Sequence, residues 1–167
     1  NQHISLTDRN AELERKVETS TEVIQTIQDY LDNYNIEHYE RRIENSAKLE
    51  EAIKDIESAI LSITRNKDRD ERQASILEGI PCGTSYPSCK FIKDAYVAKA
   101  RLPSIEEELE SLGGKKAECQ EKKSSYDAAE AQSYVDKYNK LIDKKGEHEA
   151  LIVKAGLMIS KNEALIT

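Results

Sequence analysis

The stretch of residues 80–91, IPCGTSYPSCKF, limits what this chain can fold into more than any other part of it. It lies close to the midpoint of the 167 residues and holds two of the three cysteines and two of the three prolines. Proline lacks the backbone donor that a helix needs, so two prolines with a glycine between them strongly disfavour an α-helix through this stretch. Both flanking stretches carry apolar residues at helical spacing. The pattern therefore predicts two helical arms joined by a non-helical turn.

The first arm carries apolar residues in a 4-3 rhythm, which is the spacing of a coiled-coil seam. Residues 13–34 fit one heptad frame and residues 49–77 fit a second frame that differs in phase by one residue. Residues 36–47 lie between the frames and are spaced more like a hendecad, which locally unwinds a left-handed supercoil. Lys67 and Asp70 occupy seam positions of the second frame. We therefore expect a looser, wetter section of the seam below the turn.

The second arm can be tested against the first by simple arithmetic. In an antiparallel pair, seam residues at equal distances from the turn face each other, so the numbers of facing residues share one sum. Pairs with the sum 172 include Leu13 and Ile159, Tyr34 and Tyr138, Ile53 and Cys119, and Ile60 and Leu112. The implied centre is residue 86, inside the turn. This agreement favours an antiparallel hairpin.

The composition agrees with long helices that share a narrow apolar seam, since 34% of residues are charged and only 5% are aromatic. The predicted fold class is all-α: a long antiparallel coiled-coil hairpin with a short non-helical apical loop. We expect an ascending helix at 1–78, an apical loop with a short helix at 79–102, and a descending helix at 103–167. The first helix should end near Glu78, since Gly79 and Pro81 follow.

Breaks in the second arm are predicted at two places. The residue before a proline is pushed out of helical geometry, so Pro103 should interrupt the helix, which then restarts with Ser104 as its N-cap. Gly113 and Gly114 disfavour helix and mark a possible kink. We interpret Pro103, Gly113 and Gly114 as flex points along the arm.

Several classes of function are disfavoured by charge and hydropathy. The net charge of −7 argues against direct nucleic-acid binding by this chain, because phosphate recognition needs a basic face. The sequence contains neither an apolar run long enough to span a membrane nor a secretory signal pattern. The few cysteines, odd in number, favour an intracellular location, in the cytoplasm or nucleus. Catalysis is not expected, because a rod offers no pocket for an acid–base pair. The first residue is Asn, so we expect a fragment of a longer protein.

Cys82 and Cys89 carry the most specific chemistry of the turn, and they leave three possibilities open. They can be structural thiols, form a disulfide, or bind a metal. Zinc is usually held by four ligands in a tetrahedron, and one turn supplies only two thiols. Cys119 lies about 30 residues further along the arm, roughly 45 Å away if that segment is helical. A complete four-thiolate site would therefore need two copies of the turn.

A long antiparallel coiled coil with two cysteines at its apex resembles the zinc hook of the SMC-like DNA repair ATPases. This is the Rad-fifty family, called SbcC in bacteria, with phage recombination-endonuclease subunits as relatives. The resemblance covers the whole chain in architecture, but its motif is confined to Cys82 and Cys89. The family motif is Cys-x-x-Cys, whereas six residues separate the cysteines here. The sequence contains no GxxxxGK[ST] phosphate-binding loop, so it does not include the ATPase head.

The resemblance implies a mechanical function in DNA repair or recombination. Cys82 and Cys89 of two chains would share one zinc ion, and the resulting homodimer would tether two coiled-coil arms. The residues expected to pack across that dimer, or merely to cap the coil end, are Tyr86, Phe91, Ile92 and Tyr96. The parent protein would be an ATPase that binds a nuclease subunit and DNA outside this fragment, in the host cytoplasm if the protein comes from a phage.

Two other interpretations remain open at this point. The chain could be a structural or regulatory coiled-coil arm of another multidomain protein, with a disulfide or free-thiol tip and no metal. It could also be an arm that reaches RNA, although Lys90 and Lys93 are the only basic residues close to the turn on its second side. A disulfide-closed tip predicts a monomer that responds to reductant and is unaffected by chelators.

Overall fold

The structure is a computed structural model that describes residues 2–81, 85, 88–90 and 92–166, with residues 2–4 and 166 described by their backbone alone. The described residues form four α-helices and no strand. The helices are α1 (Gln2–Asp32), α2 (Ile36–Ala74), α3 (Lys93–Tyr126) and α4 (Ala128–Ile166), and a short 3₁₀ helix, Ser75–Gly79, follows α2. The predicted all-α class is confirmed. Helical structure ends at Gly79, one residue beyond the predicted position.

The first helical stretch is interrupted at residues 33–35, a break that the heptad pattern did not predict. The backbone N–H of Tyr34 donates to the Leu31 carbonyl at 3.0 Å, which closes the last turn of α1. Asn35 then caps α2, because its side-chain Oδ1 accepts a hydrogen bond from the backbone N–H of His38 at 3.2 Å. An asparagine in this position satisfies one of the backbone donors left unpaired at a helix start.

A second break separates α3 from α4 at a single residue. Asp127 has a φ of 41° and lies in the left-handed region, and its N–H donates to the Ser124 carbonyl at 3.2 Å. Aspartate is one of the few residues other than glycine that tolerate this conformation. The chain can therefore end one helix at Tyr126 and begin the next at Ala128 without a loop.

The predicted interruption at Pro103 is wrong, since α3 continues through this residue. Proline removes the hydrogen bond to the carbonyl four residues earlier, which here belongs to Lys99. Both Pro103 and Lys99 are exposed. Water can therefore solvate that carbonyl, and this 34-residue helix continues across one missing hydrogen bond.

The chain divides into two compact units. Unit 1 contains Asn1–Arg42 and Ala129–Thr167. Its buried apolar residues come from both stretches: Ile27 and Leu31 from α1, and Ala131 and Ala155 from α4. The rings of Tyr34 and Tyr138, a pair predicted to face each other, have centroids 5.6 Å apart.

Polar contacts within unit 1 follow the same register. Asn162 Nδ2 donates to Asn10 Oδ1 at 2.7 Å, and Arg42 pairs with Glu130 at 2.8 Å. The numbers of each pair add up to the predicted 172. Because partners late in α4 meet residues early in the chain, the two stretches of this unit run antiparallel.

Unit 2 contains Ile43–Ala128, with buried apolar residues Ile53, Ile92, Ala95 and Ala98. Its cross-helix ion pairs include Glu50 with Lys123, Glu57 with Lys116, and Lys67 with Glu106. Each pair has numbers that add up to within one of 172. Within this unit, α2 and α3 therefore also run antiparallel.

Candidate functional site

Cys89 lies at the turn that leads into α3. Its backbone carbonyl accepts hydrogen bonds from the N–H groups of Ile92 at 3.1 Å and Lys93 at 2.9 Å, which form the first turn before the helix. The thiol is free and half-buried.

Three of the predicted site residues, Cys82, Tyr86 and Phe91, lie outside the described residues. Among the residues that are described, no group of three or more His, Cys, Asp or Glu side chains could together hold a metal ion. Cys119 is half-buried on α3, 26 residues after Lys93, which corresponds to roughly 40 Å along the helix. Cys119 is therefore too far from Cys89 to share a metal with it in one chain.

The two described residues of the predicted interface differ in exposure. Ile92 is only 3% exposed, so it is buried within its own chain at the residue before α3. Ile92 therefore has almost no exposed surface for contact with a second chain, and its side chain packs the start of α3 instead. Tyr96 is half-buried and lines an open groove of about 410 Å³ together with Leu77, Lys99 and Leu102.

Asp70 is the most deeply buried charged residue among those described, with 1% exposure. Arg101 engages both of its oxygens: Nε lies 3.0 Å from Oδ2, and Nη2 donates to Oδ1 at 3.0 Å. Arg69 Nε approaches Oδ1 at 3.5 Å. At Asp70 the predicted wetter section is therefore wrong, because this position is buried and its charge is paired. Lys67, the other polar seam position, has a side chain that is 27% exposed. The register would have identified the partner of Asp70, since the numbers 70 and 101 add up to one less than 172.

The predicted flex points lie in continuous helix. α3 includes Pro103, Gly113 and Gly114. A Cβ added at either glycine would meet nothing within 4 Å, so the packing of the described residues does not require glycine there. Flexibility at these three positions stays a prediction.

A cluster of tyrosines in unit 1 was not predicted as a site. Tyr34 is at its centre, with ring centroids 5.6 Å from Tyr30 and 5.8 Å from Tyr39. Tyr39 stacks on Tyr134 with centroids 4.5 Å apart, and the Tyr34 hydroxyl donates to the Tyr134 carbonyl at 3.0 Å. The cluster lies at the break between α1 and α2, where it packs the chain against α4.

Two cations complete this cluster. The Arg42 guanidinium lies 5.8 Å from the centre of the Tyr39 ring, and the Lys137 ammonium lies 5.5 Å from that of Tyr30. Burial raises the pKa of the Tyr34 hydroxyl above its ordinary value. The register, which already pairs Tyr34 with Tyr138, is the sequence signal that leads to the cluster.

No α-helix in the part of the chain that the structure describes is long and apolar enough to cross a membrane. Comparisons with protein-family models, curated proteins and solved structures find no match to this chain.

Proposed function

We propose that the chain forms one coiled-coil hairpin whose tip joins two copies through a shared zinc ion. The arm would belong to an SMC-like DNA repair or recombination ATPase that acts with a nuclease partner, and this fragment would not itself be catalytic. The observation that carries the proposal is the position of Cys89, at the turn into α3 and within a unit in which α2 and α3 are antiparallel. Cys82, separated from Cys89 by six residues in the sequence, would supply the second thiol of the same tip.

The donor set fits zinc only in a dimer. Zinc-bound cysteine is a thiolate, and a structural site usually has four ligands. Cys82 and Cys89 provide two per chain, and Cys119 is too distant to provide a third. Two chains would bring four thiolates together, so that metal binding and dimerisation become one event. The ion would supply the attraction that holds the four thiolates of the two tips together.

The residues around the thiols would position them for this contact. The hydrogen bonds from Ile92 and Lys93 to the Cys89 carbonyl hold that residue at the start of α3. Ile92, Ala95 and Ala98 bury one face of the first turns of α3, so the helix that presents Cys89 is packed in place. Tyr96 would contribute to the contact between tips from the groove that it lines.

The test is to measure metal content and oligomeric state together on protein purified without chelator. A protein concentration of about 5 μM is low enough to dissociate any weak self-association outside the tip. We expect one zinc per two chains and a dimer that the Cys82→Ser/Cys89→Ser variant does not form. Cys119→Ser is the matched control and should keep both. Zinc should be lost as the pH falls, since protons compete for thiolates.

Two outcomes would overturn the proposal. If the protein is a metal-free monomer with the mass calculated for three free thiols, the chain is a structural or regulatory arm with free thiols at its tip. A monomer lighter by two hydrogens that regains them with reductant would show a disulfide between Cys82 and Cys89. In both cases the chain would be an arm of another kind of multidomain protein, with no metal at its tip.

A further inference from the structure

Exposed apolar side chains are concentrated near the end of α4. Nine large apolar residues of the described chain are well exposed, and five of them lie in residues 142–165. These five are Ile142, Leu151, Val153, Leu157 and Leu165. Val153 and Leu157 are 64% and 69% exposed. Single exposed apolar residues are ordinary, but exposed apolar residues that share one face of a helix indicate a contact surface.

The exposed residues of this segment include a second coiled-coil seam, which we call the outer face of α4. Its members follow each other at intervals of four and three residues, as in a heptad seam. They are Gly146, Ala150, Val153, Leu157, Ser160 and Ala164, and all six are exposed. The inner seam of α4 contains the half-buried Ile152 and Ile159 and the buried Ala155, which lie on the other side of the helix. The outer face has the spacing to pack against another helix.

The glycines of this segment point to a close approach by another backbone. Gly146 lies on the outer face and Gly156 lies at its edge, and both are inside a continuous helix. A Cβ added at either position would meet nothing within 4 Å. Glycine weakens a helix interior, and nothing among the described residues requires it here. A helix packed closely on the outer face would account for both positions.

Charges beside the outer face indicate which helix fits. Heptad assignment places Glu149 and Glu163 along one edge, and Glu147, Lys154 and Lys161 along the other. The lysine edge borders a groove of about 690 Å³ in unit 1 that is lined by Arg9, Arg15, Lys16 and Lys154, with Glu12 paired to Lys16. Over residues 149–163 the face therefore has one acidic edge and one basic edge.

This asymmetry matches a second copy of the same face in parallel orientation. In a parallel coiled coil, the g position of one helix lies beside the e position five residues later on the partner helix. Glu149, just before Ala150, is a g position, and Lys154, just after Val153, is an e position, so Glu149 of each chain would meet Lys154 of the other. An antiparallel pair would bring lysine to lysine or glutamate to glutamate along the edges, which is repulsive. Lys145 lies 3.6 Å from Glu149 in the same chain, and the Glu149 side chain is still 55% exposed.

We propose that the outer face of α4 binds a second copy of this chain, with the two α4 helices parallel. The inference does not rest on the zinc proposal, because its residues belong to unit 1 and contain no cysteine. Only two of its six members are large, and four are small or polar, so the contact should be weak. We expect a dissociation constant on the order of 100 μM.

The first test is sedimentation velocity over about 5–500 μM with the Cys82→Ser/Cys89→Ser variant, so that the tip thiols cannot contribute. We expect a concentration-dependent dimer. Leu157→Lys should weaken it at least about tenfold, by loss of apolar contact at the centre of the face. Leu151→Lys is the matched control: Leu151 is 54% exposed on the same helix but off the face, so this variant should associate like the parent.

A charge exchange tests the edges. Glu149→Lys and Lys154→Glu should each weaken the dimer, and the double variant should restore it, because the same pair would form with its charges reversed. A parent chain that stays monomeric at every concentration would overturn the proposal. So would an equal effect of Leu151→Lys and Leu157→Lys, which would indicate non-specific association.

Cross-linking distinguishes the two orientations. In a chain without its three native cysteines, Gly146→Cys or Ser160→Cys should each form a disulfide with itself under mild oxidation, because the same positions face each other in a parallel seam. Lys140→Cys, exposed on another side of α4, should not. If disulfides form only when the Ala150→Cys and Ser160→Cys chains are mixed, the helices are antiparallel and the proposed orientation is wrong.

Discussion

Replacing Arg101 with methionine should destabilise unit 2 more than replacing Asp70 with asparagine, although the two side chains form one ion pair. The reason is that their burial differs: Asp70 is 1% exposed, whereas the Arg101 side chain is 50% exposed. After Asp70→Asn, water can solvate the guanidinium. After Arg101→Met, the carboxylate stays in a dry seam and retains only Arg69, whose Nε lies 3.5 Å away.

The magnitudes follow from what each change leaves behind. Breaking a buried pair by removing one partner typically costs 3–5 kcal/mol, and we expect about 3 kcal/mol for Arg101→Met because Arg69 remains. Asp70→Asn keeps the shape and one acceptor, so the loss should be about 1–2 kcal/mol. The double change Asp70→Leu/Arg101→Met removes both charges, and it should recover most of the loss from Arg101→Met.

The assay combines urea unfolding, followed by far-ultraviolet circular dichroism, with hydrogen exchange in residues 66–74 and 95–105. Exchange is needed because two compact units can unfold separately, which makes a single midpoint ambiguous. Arg65→Met, at an exposed position of α2, is the control and should change little. If Arg101→Met costs less than Asp70→Asn, or if the double variant recovers nothing, the charge is not buried as described and the reasoning fails.

Two further predictions concern unit 1 and α3. Tyr34→Phe should cost about 1 kcal/mol through loss of the hydrogen bond to the Tyr134 carbonyl, and Tyr34→Ala about 3 kcal/mol through loss of the ring packing, both measured by urea unfolding against Tyr30→Phe. Burial raises the pKa of Tyr34 above 10.0, so the neutral hydroxyl stabilises the fold below that pH and the contribution is lost above it. The free energy of unfolding of Tyr34→Phe should therefore fall less steeply with pH in alkaline solution than that of the parent chain. Equal slopes for the two chains would contradict this prediction. Gly113→Ala and Gly114→Ala should each stabilise α3 by about 1 kcal/mol, seen as a higher unfolding midpoint, because a Cβ meets open space and α3 is already helical there. A loss of stability in either glycine variant would mean that another chain packs against that position.

The sequence was informative where one physical effect dominates. Apolar spacing indicated helices, and Gly79 with Pro81 indicated where the first arm ends. The common sum of residue numbers identified Tyr34 and Tyr138 as facing each other. Sequence analysis failed where two local effects compete. At Pro103, the free energy lost with one solvated hydrogen bond is too small to end a 34-residue helix.

The two breaks show different limits of sequence analysis. The break at 33–35 had a readable signal, because Asn35 is a good N-cap and follows Asn33. The heptad pattern masked that signal by placing Tyr34 on the seam. Asp127 had no comparable signal, since the left-handed conformation depends on the backbone geometry at that residue and aspartate occurs at many ordinary positions. For the candidate site, the sequence indicated the two cysteines of the turn and a short helix after them. The register also contained the signal for the partner of Asp70, since 70 and 101 add up to one less than 172, but that partner was not predicted.

Polar residues at buried seam positions explain how each unit holds one register. Asn10, Ser20 and Asp70 are buried, and they pair across the seam with Asn162, His148 and Arg101. No buried side-chain nitrogen or oxygen in the described part of the chain lacks a partner. A slip by one heptad would move each partner about 10 Å along its helix and leave the buried group unpaired.

Each unpaired group would cost about 1–3 kcal/mol. The apolar seam alone would discriminate less, because a shift of one heptad replaces one aliphatic contact with another of similar size. The hydrophobic residues therefore stabilise pairing in several registers, and the polar pairs select the one that the structure shows.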